Sequence, residues 1–423
     1  MSQSPRDTIF ALSSGLPPAG IAVVRISGPA AGPVLDALAG KRPPPRRASY
    51  RPLRDGKGAL LDHALILWFP GQATATGEDL AELHLHGGRA VVASVLAAVG
   101  GLAGLRPATP GEFTRRAFEN GRIDLAEAEG LADLLAAETE SQRQSALALA
   151  EGGLGRKVEA WQTALLQLSA RIEAALDFSD EGDVREVEGV HCELAALAGA
   201  MAALLAEPGA ERLRDGVRVV LAGPPNSGKS SLFNILVDRE AAIVSDIAGT
   251  TRDRIEAVVA LDGLPMVLID TAGLRDSDDS IEAIGVARAE DAVARADLVL
   301  WLGEAREAPE GAIIVAAKCD IGGSRPGLPV SAVTGEGIAA LKDELLKRAG
   351  EILPRPGALP LNRRHKAILS EVRYALEQAA GQADLLILAE HLRQARSRLD
   401  GLTGRSGVED MLDALFGSMC IGK

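Results

Sequence analysis

The chain has 423 residues, 47% of them apolar and 24% charged, with a formal net charge of −13; a chain of that length holds about two to four cored domains, so a modular protein is expected. The acidic balance speaks against a protein that coats nucleic acid by bulk electrostatics, while leaving specific RNA contact open. No run of about 18 uncharged apolar residues is present to cross a bilayer, residues 1–8 lack the basic-then-apolar pattern of a secretory signal, and Cys192, Cys319 and Cys420 are too scattered for a disulfide framework or a zinc site, so a cytoplasmic protein without a membrane partner is expected.

Residues 1–118 alternate short strand-like runs with turns and one helical stretch, which predicts a small α+β domain. Residues 21–26 and 64–69 read as strands, and Pro43-Pro-Pro45 marks a loop. Residues 80–86 alternate, with Leu83 and Leu85 on one face and Glu82, His84 and His86 on the other. Gly87-Gly88 closes that strand, and Val91, Val92, Val95, Leu96 and Val99 then recur at helical spacing. Basic groups occur locally (Arg42, Arg46, Arg47, Arg51 and Arg54; Arg363, Arg364 and Lys366; Arg393, Arg396 and Arg398) and read first as solvated faces. Residues 119–214 turn to Ala/Leu/Glu-rich segments in which Trp161, Leu165, Leu168, Ile172 and Leu176 form one stripe, the pattern of helices packed on helices.

A βα alternation occupies residues 215–352, and residues 353–423 return to helix-forming composition. The simplest arrangement places an α/β domain inside a helical one. Its first unit is Gly223-Pro-Pro-Asn-Ser-Gly-Lys-Ser230 between an apolar strand and a helix, a phosphate-binding loop. The chemistry needs those residues: backbone N–H groups at a helix N-terminus surround the β-phosphate, Lys229 reaches the γ-phosphate, and Ser230 ligates magnesium. Further on, Thr251 in Gly249-Thr-Thr-Arg-Asp253 can complete the magnesium shell, Asp270 in Asp270-Thr-Ala-Gly273 can reach the metal through water, and the Gly273 N–H can approach the γ-phosphate. Pieces in this order select the GTPase branch. The expected GTP contacts are Asn226, Ser227, Gly228, Lys229, Ser230 and Ser231; Ser245, Asp246, Ile247, Ala248, Gly249, Thr250 and Thr251; Asp270, Thr271, Ala272 and Gly273; and Lys318, Asp320, Ser331 and Ala332.

The base-reading string is Ala317-Lys-Cys-Asp320, with alanine where this branch carries asparagine; Asp320 can still accept from guanine N1–H and the exocyclic amine, and Cys319 is given no role. Leu274 replaces the glutamine that orients water in many small GTPases, and no arginine is assignable as an internal finger, so another cation must meet the developing charge. Asn226 and the carbonyls of the loop before Gly249 could hold a monovalent cation; alternatively Asn226 is a turn-stabilising amide.

At this point the chain closely resembles the MnmE (TrmE) family of tRNA-modifying GTPases. The resemblance is carried by Gly20-Ile-Ala-Val-Val-Arg-Ile-Ser-Gly28, Trp68-Phe-Pro-Gly71, Thr76-Gly-Glu-Asp79, His86-Gly-Gly88, Pro110-Gly-Glu-Phe-Thr114, Arg116-Ala-Phe118, Asp124-Leu-Ala-Glu-Ala-Glu129, the GTPase strings and the terminal Cys420-Ile-Gly-Lys423. It implies an N-terminal α+β domain that binds a tetrahydrofolate derivative and forms a homodimer, and a Ras-like GTPase domain inserted in the helical one. It further implies an FAD-dependent partner of the MnmG (GidA) family, with which 5-carboxymethylaminomethyl or aminomethyl groups are placed on the wobble uridine of certain tRNAs. By the resemblance GTP hydrolysis depends on magnesium, held by Ser230 and Thr251, and on potassium, held by Asn226, Ser245, Ile247 and Thr250, with Glu282 arranging the hydrolytic water. Arg25, Glu82, Arg122 and Lys423 match the folate positions, and Cys420 is a candidate reactive thiolate.

Read from the residues alone, Arg25 and Glu82 make a cross-strand ion pair, Glu282 a helix-surface residue, and Cys420 a small apolar core residue. His84 and His86 suggest a metal pair but find no third ligand, and stay strand-surface histidines. A regulatory or ribosome-assembly GTPase would share the phosphate loop and Leu274, but would be expected to carry a basic accessory domain. A folate-dependent transferase acting alone leaves the GTPase strings unexplained.

Overall fold

The computed structural model describes residues 7–177, 189–239, 256–272, 282–322, 326–355, 357–404, 409–417, 419, 421 and 422. They divide into two compact units, one built from Met1–Ala132 with Thr403–Lys423 and the other from Asp133–Leu402.

The first unit contains β1 (Thr8–Leu12), β2 (Ile21–Ser27), α1 (Ala31–Ala39), β3 (Ser49–Arg54), β4 (Leu60–Phe69), β5 (Leu80–His86), α2 (Arg89–Gly100), β6 (Leu105–Pro107), α3 (Glu112–Glu119) and the start of α4 (Leu125–Ala136). The strands form one sheet of order β3-β4-β5-β2-β1-β6, antiparallel except for the β1–β6 edge. Period-two alternation sends Val24, Ile26, Ile66, Trp68, Leu83 and Leu85 to one face, where they pack with Val34, Leu35 and Leu38 of α1 and Val92, Val95 and Val99 of α2. Each such side chain contributes about 1.5–3 kcal/mol on burial. Leu83 and Leu85 are therefore core residues while Glu82, His84 and His86 are not, as the alternation predicts. Two helices, α1 and α3, stand beyond the single helical stretch expected, because Gly32 and Pro33 interrupt the periodicity of the first and the second is short.

Helix α14 (Glu409–Gly417) packs on α3 in the same unit, with Phe416 in a cluster with Leu125, Ala128, Leu412 and Met419. Gly111, at φ 65°, sits where any Cβ would come 2.3 Å from the Phe416 carbonyl oxygen, so the close approach of the two segments requires glycine there.

The second unit opens with α5 (Glu140–Ala150), capped by a reciprocal box between Thr139 and Gln142, and α6 (Gly153–Asp177), whose buried stripe is Leu154, Val158, Trp161, Leu165, Leu168 and Ile172. Then follow α7 (Val190–Ala206), α8 (Ala210–Asp215), β7 (Val217–Ala222), α9 (Lys229–Arg239), β8 (Glu256–Leu261), β9 (Leu264–Asp270), α10 (Glu282–Ala294), β10 (Leu298–Trp301), β11 (Ile313–Ala317), β12 (Leu328–Val330), α11 (Ile338–Ile352), α12 (Arg363–Ala380) and α13 (Leu385–Thr403). The sheet order is β12-β11-β10-β7-β9-β8, parallel except for the β8–β9 hairpin. Its central strands are buried on both faces, Val219, Leu221 and Leu268 among one set of apolar residues and Val220, Val267 and Ile269 among the other, which is why they read as continuous apolar runs.

Helices α7 and α12, which precede and follow the α/β segment in sequence, pack on each other, and Lys366 Nζ donates to the Glu207 carbonyl at 2.8 Å beside them. The stretch Val190–Asp215 has the length and mean hydropathy of a membrane span, but it carries charged residues such as Glu193 and Glu211 and buries Val190, Leu194, Ala198 and Met201 as a helix-on-helix face does.

Candidate functional site

The phosphate loop spans the six residues between β7 and α9, as its sequence predicts. Lys229 is the first residue of α9 and is buried; its ammonium donates to the carbonyls of Gly223 at 3.0 Å and Pro224 at 2.8 Å. Ser230 and Ser231 lie exposed on the first turn of α9, where unpaired N–H groups favour an anion. The Ser227 hydroxyl is buried and has no hydrogen-bond partner among the described residues, which leaves a polar atom inside the loop for a bound group. Asn226 is exposed at φ 57°, and its side-chain amide bonds to no described residue.

The β7–β9 register pairs Leu221 with Asp270, so the parallel sheet itself delivers that carboxylate to the mouth of the loop. Asp270 is 4% exposed and accepts the Ala272 N–H at 2.9 Å; the Thr271 hydroxyl donates to the Leu221 carbonyl at 2.8 Å. A cavity of about 230 Å³ lies beside the loop, lined by Gly228, Ser231, Ala317, Lys318, Asp320 and Ala332 among others. Lys318, itself at φ 61°, donates to the Asn226 carbonyl at 2.7 Å and so ties the Ala317–Asp320 segment to the phosphate loop. Ser331 is fully buried, its hydroxyl accepting from the N–H groups of Val333 (3.2 Å) and Thr334 (3.1 Å), which shapes the wall next to Ala332. Burial, then Glu336 and Asp320, push the Cys319 thiol above its ordinary value.

In the N-terminal sheet Arg25 and Glu82 are register partners on β2 and β5. Arg25 donates from Nε (3.1 Å) and Nη2 (2.9 Å) to one oxygen of Glu82, and His84 Nε2 lies 3.4 Å from the other. The guanidinium also sits 5.9 Å from the Phe113 ring centroid. Arg122 is exposed and donates to the Thr74 carbonyl at 3.1 Å. His86 Nδ1 pairs with Asp62 at 2.7 Å; burial works to raise the Asp62 carboxyl, but hydrogen bonds from His86 and His63 outweigh it and hold it low. Among the described residues no three His, Cys, Asp or Glu side chains are grouped to hold a metal.

Sequence reading missed an ion network in this domain. Arg116, its side chain 5% exposed, donates to Glu78 (3.1 Å), Glu112 (3.1 Å) and both the carboxylate and carbonyl of Asp7. Arg106 bridges Glu112 and Asp7, and the Ser27 hydroxyl donates to Glu78 at 2.8 Å. Burial raises the Glu112 carboxyl, yet hydrogen bonds from Arg106, the Thr109 N–H and Arg116 bring it down to about 2. Each member lies in a charged string, but partners up to 109 residues apart give the sequence no sign of their pairing.

Two family models cover the chain: the GTP-binding protein TrmE N-terminus matches residues 8–122, and the MnmE helical domain matches residues 125–420. A tRNA modification GTPase MnmE from Novosphingobium aromaticivorans is 57% identical over 99% of this chain and 100% of its own length. That of Rhizorhabdus wittichii is 59% identical over 99% of this chain and 97% of its own. The chain belongs to the MnmE family. Among solved structures, the G domain of the T. maritima FeoB iron transporter is 28% identical over 31% of this chain and 98% of its own, with a TM-score of 0.23.

For an MnmE family member, the structure brings together Asn226, Ser227, Gly228, Lys229, Ser230, Ser231, Asp270, Thr271, Ala272, Lys318 and Asp320 around one loop and its neighbouring cavity. Ser245, Asp246, Ile247, Ala248, Gly249, Thr250, Thr251, Gly273, Leu274, Cys420 and Lys423 lie outside the described residues, and Glu282 is described only as the first residue of α10. Arg25 and Glu82 meet as a cross-strand pair, the reading the residues give without the family; Arg122 bonds elsewhere, to Thr74.

Proposed function

We propose that this GTPase of tRNA modification is activated by potassium and magnesium and works with an FAD-dependent MnmG (GidA)-type partner. The pair forms the 5-carboxymethylaminomethyl or aminomethyl group on the wobble uridine of certain tRNAs, with a tetrahydrofolate derivative giving the one-carbon unit. The observation that carries this reading is full-length similarity to tRNA modification GTPases joined to a phosphate loop whose lysine, carboxylate and base-reading segment converge.

The residues would act as follows. Lys229 exchanges the Gly223 and Pro224 carbonyls for phosphate oxygens, which costs little because donor and geometry are already in place. Ser230 and Thr251 hold magnesium, with Asp270 acting on its water shell. Asp320 accepts from the guanine edge in the adjoining cavity, and Lys318 keeps that wall fixed to the loop. Asn226, Ser245, Ile247 and Thr250 hold potassium, which supplies positive charge near the β- and γ-phosphates, and Glu282 positions the attacking water.

Arg25, Glu82, Arg122 and Lys423 form the folate site, where a carboxylate suits pterin N–H donors and cations suit the glutamate tail; Glu82 would then exchange its Arg25 and His84 contacts for the pterin. Cys420 is the candidate reactive thiol. The α/β domain, residues 215–352, is an insertion between two parts of a helical domain, supported by the packing of α7 on α12 and by a helical-domain match that spans it. The protein acts in the cytoplasm as a homodimer joined through residues 1–118, in a heterotetramer with its partner.

Nucleoside analysis of bulk tRNA from cells lacking the gene tests the reading. Loss of the 5-substituted wobble uridines is expected, and an unchanged nucleoside profile overturns it.

A further inference from the structure

One segment of this acidic chain is strongly basic. Between Lys41 and Lys57 seven residues are Lys or Arg and one, Asp55, is acidic, against a formal net charge of −13 for the whole. The segment is the loop after α1, the edge strand β3, and the turn into β4.

Three of these cations have local work. Arg42 pairs with Asp36 at 2.7 Å and lies 5.7 Å from the Trp68 ring, Arg46 lies over Phe69 and donates to the Ala73 carbonyl, and Arg54 donates to the Gly58 carbonyl at 2.9 Å. Lys41, Arg47, Arg51 and Lys57 make no ion pair or side-chain hydrogen bond with any described residue. Between Arg47 and Arg51, Tyr50 is 69% exposed, and its ring stacks on His63 with centroids 5.8 Å apart and planes 21° apart.

Cations on an edge strand keep other strands from adding to it, and one or two suffice for that. Unpaired arginines before and after a supported, exposed aromatic ring in an edge strand, Arg51 on the opposite face of the pleat from Tyr50, are a different arrangement. Arginine and lysine neutralise phosphates and release their counterions, while a ring face held open stacks on an unpaired base. The remainder of the chain is acidic in net and repels a polyanion on average, which favours approach to this edge. An acidic protein partner would match the charge and leave the ring without a use.

We propose that the β3 edge, from Lys41 to Lys57, is a docking surface for the phosphate backbone of the RNA substrate, with Tyr50 stacking on an exposed base. The inference rests on the tRNA-modification reading for the identity of that RNA.

The test uses the full chain, a fluorescent tRNA transcript, and anisotropy titrations across a potassium chloride series. Arg47→Ala/Arg51→Ala is expected to weaken binding about tenfold and to flatten the log–log salt slope by about 1.5–2, the loss of two phosphate contacts. Arg47→Lys/Arg51→Lys keeps the slope. Tyr50→Ala weakens binding about tenfold without changing it. RNA-free GTP hydrolysis and the thermal melt stay at the unsubstituted level in all three. A double alanine variant that folds and binds with unaltered affinity and slope overturns the proposal, as does one that keeps tRNA binding but loses the flavoprotein partner. Failure of the unsubstituted protein to bind tRNA also overturns it; the functional reading falls only if the gene-deletion nucleoside profile is unchanged.

Discussion

Replacing Glu112 by Gln perturbs the ion network at its most strongly held carboxylate. Glu112 receives Arg106 at 2.6 and 2.8 Å, Arg116 at 3.1 Å and the Thr109 N–H at 2.9 Å, and its carboxyl falls from an ordinary 4.5 to about 2. A displacement of that size carries about 3 kcal/mol of pH-dependent stability. Arg106, the first-named partner of Glu112, is 42% exposed, and solvent screening there brings the figure to about 1–2 kcal/mol. Because the folded-state value is depressed, the stabilisation is fully present above the ordinary value and is lost as pH falls toward 2. With Trp161 and Trp301 changed to Phe, Trp68 in the N-terminal sheet reports unfolding of that domain in urea. Glu112→Gln is expected to be less stable by about 1–2 kcal/mol at pH 7, with the gap shrinking by about half between pH 6 and pH 3. A gap independent of pH, or none at pH 7, would refute the reasoning.

Three other outcomes follow from the nucleotide site. Hydrolysis should be much faster in potassium than in sodium, and Asn226→Ala should abolish the difference; equal rates in the two salts for the unsubstituted protein remove the cation role of Asn226. Asp320→Asn should weaken GTP binding by about a hundredfold, because one of the two acceptor oxygens becomes an NH2 group that faces a guanine donor, measured by titration with a fluorescent GTP analogue; unaltered affinity would show that the cavity beside Lys318 is not the base site. Since burial, Glu336 and Asp320 all raise the Cys319 thiol, its thiolate is scarce at pH 8, and Glu336→Gln should move its alkylation profile, followed by mass spectrometry, to lower pH. An unmoved profile would place the perturbation elsewhere.

What the sequence disclosed depended on whether the cause was local. The phosphate loop was legible because strand, glycine turn and helix are contiguous, and the alternation in residues 80–86 placed Glu82 and His84 correctly opposite Leu83 and Leu85. Strand β3 was not, since Ser49-Tyr-Arg-Pro-Leu-Arg54 carries a proline and two arginines; it is a strand because β4 pairs with it at the sheet edge, where a missing N–H is tolerated. The Arg116 network, and the cluster of Leu125 with Phe416, join residues far apart along the chain, and no periodicity records such meetings. Arg25 and Glu82 show how two readings of one pair separate: the register makes them an ion pair, whereas the resemblance led to the expectation of a ligand there.

Strand β9 begins at a two-residue turn, Asp262 and Gly263, both at positive φ, whose Gly263 carbonyl accepts the N–H (3.2 Å) and hydroxyl (2.9 Å) of Ser141 at the head of α5. It ends at Asp270, roughly 20 Å away at the rise of an extended chain. The strand is thus a rod clamped at one tip and bearing the buried Asp270 carboxylate at the other, beside the phosphate loop. Lengthwise travel of Asp270 would have to shear the ladder to β7 or tug on α5, which makes the strand stiff along its own axis.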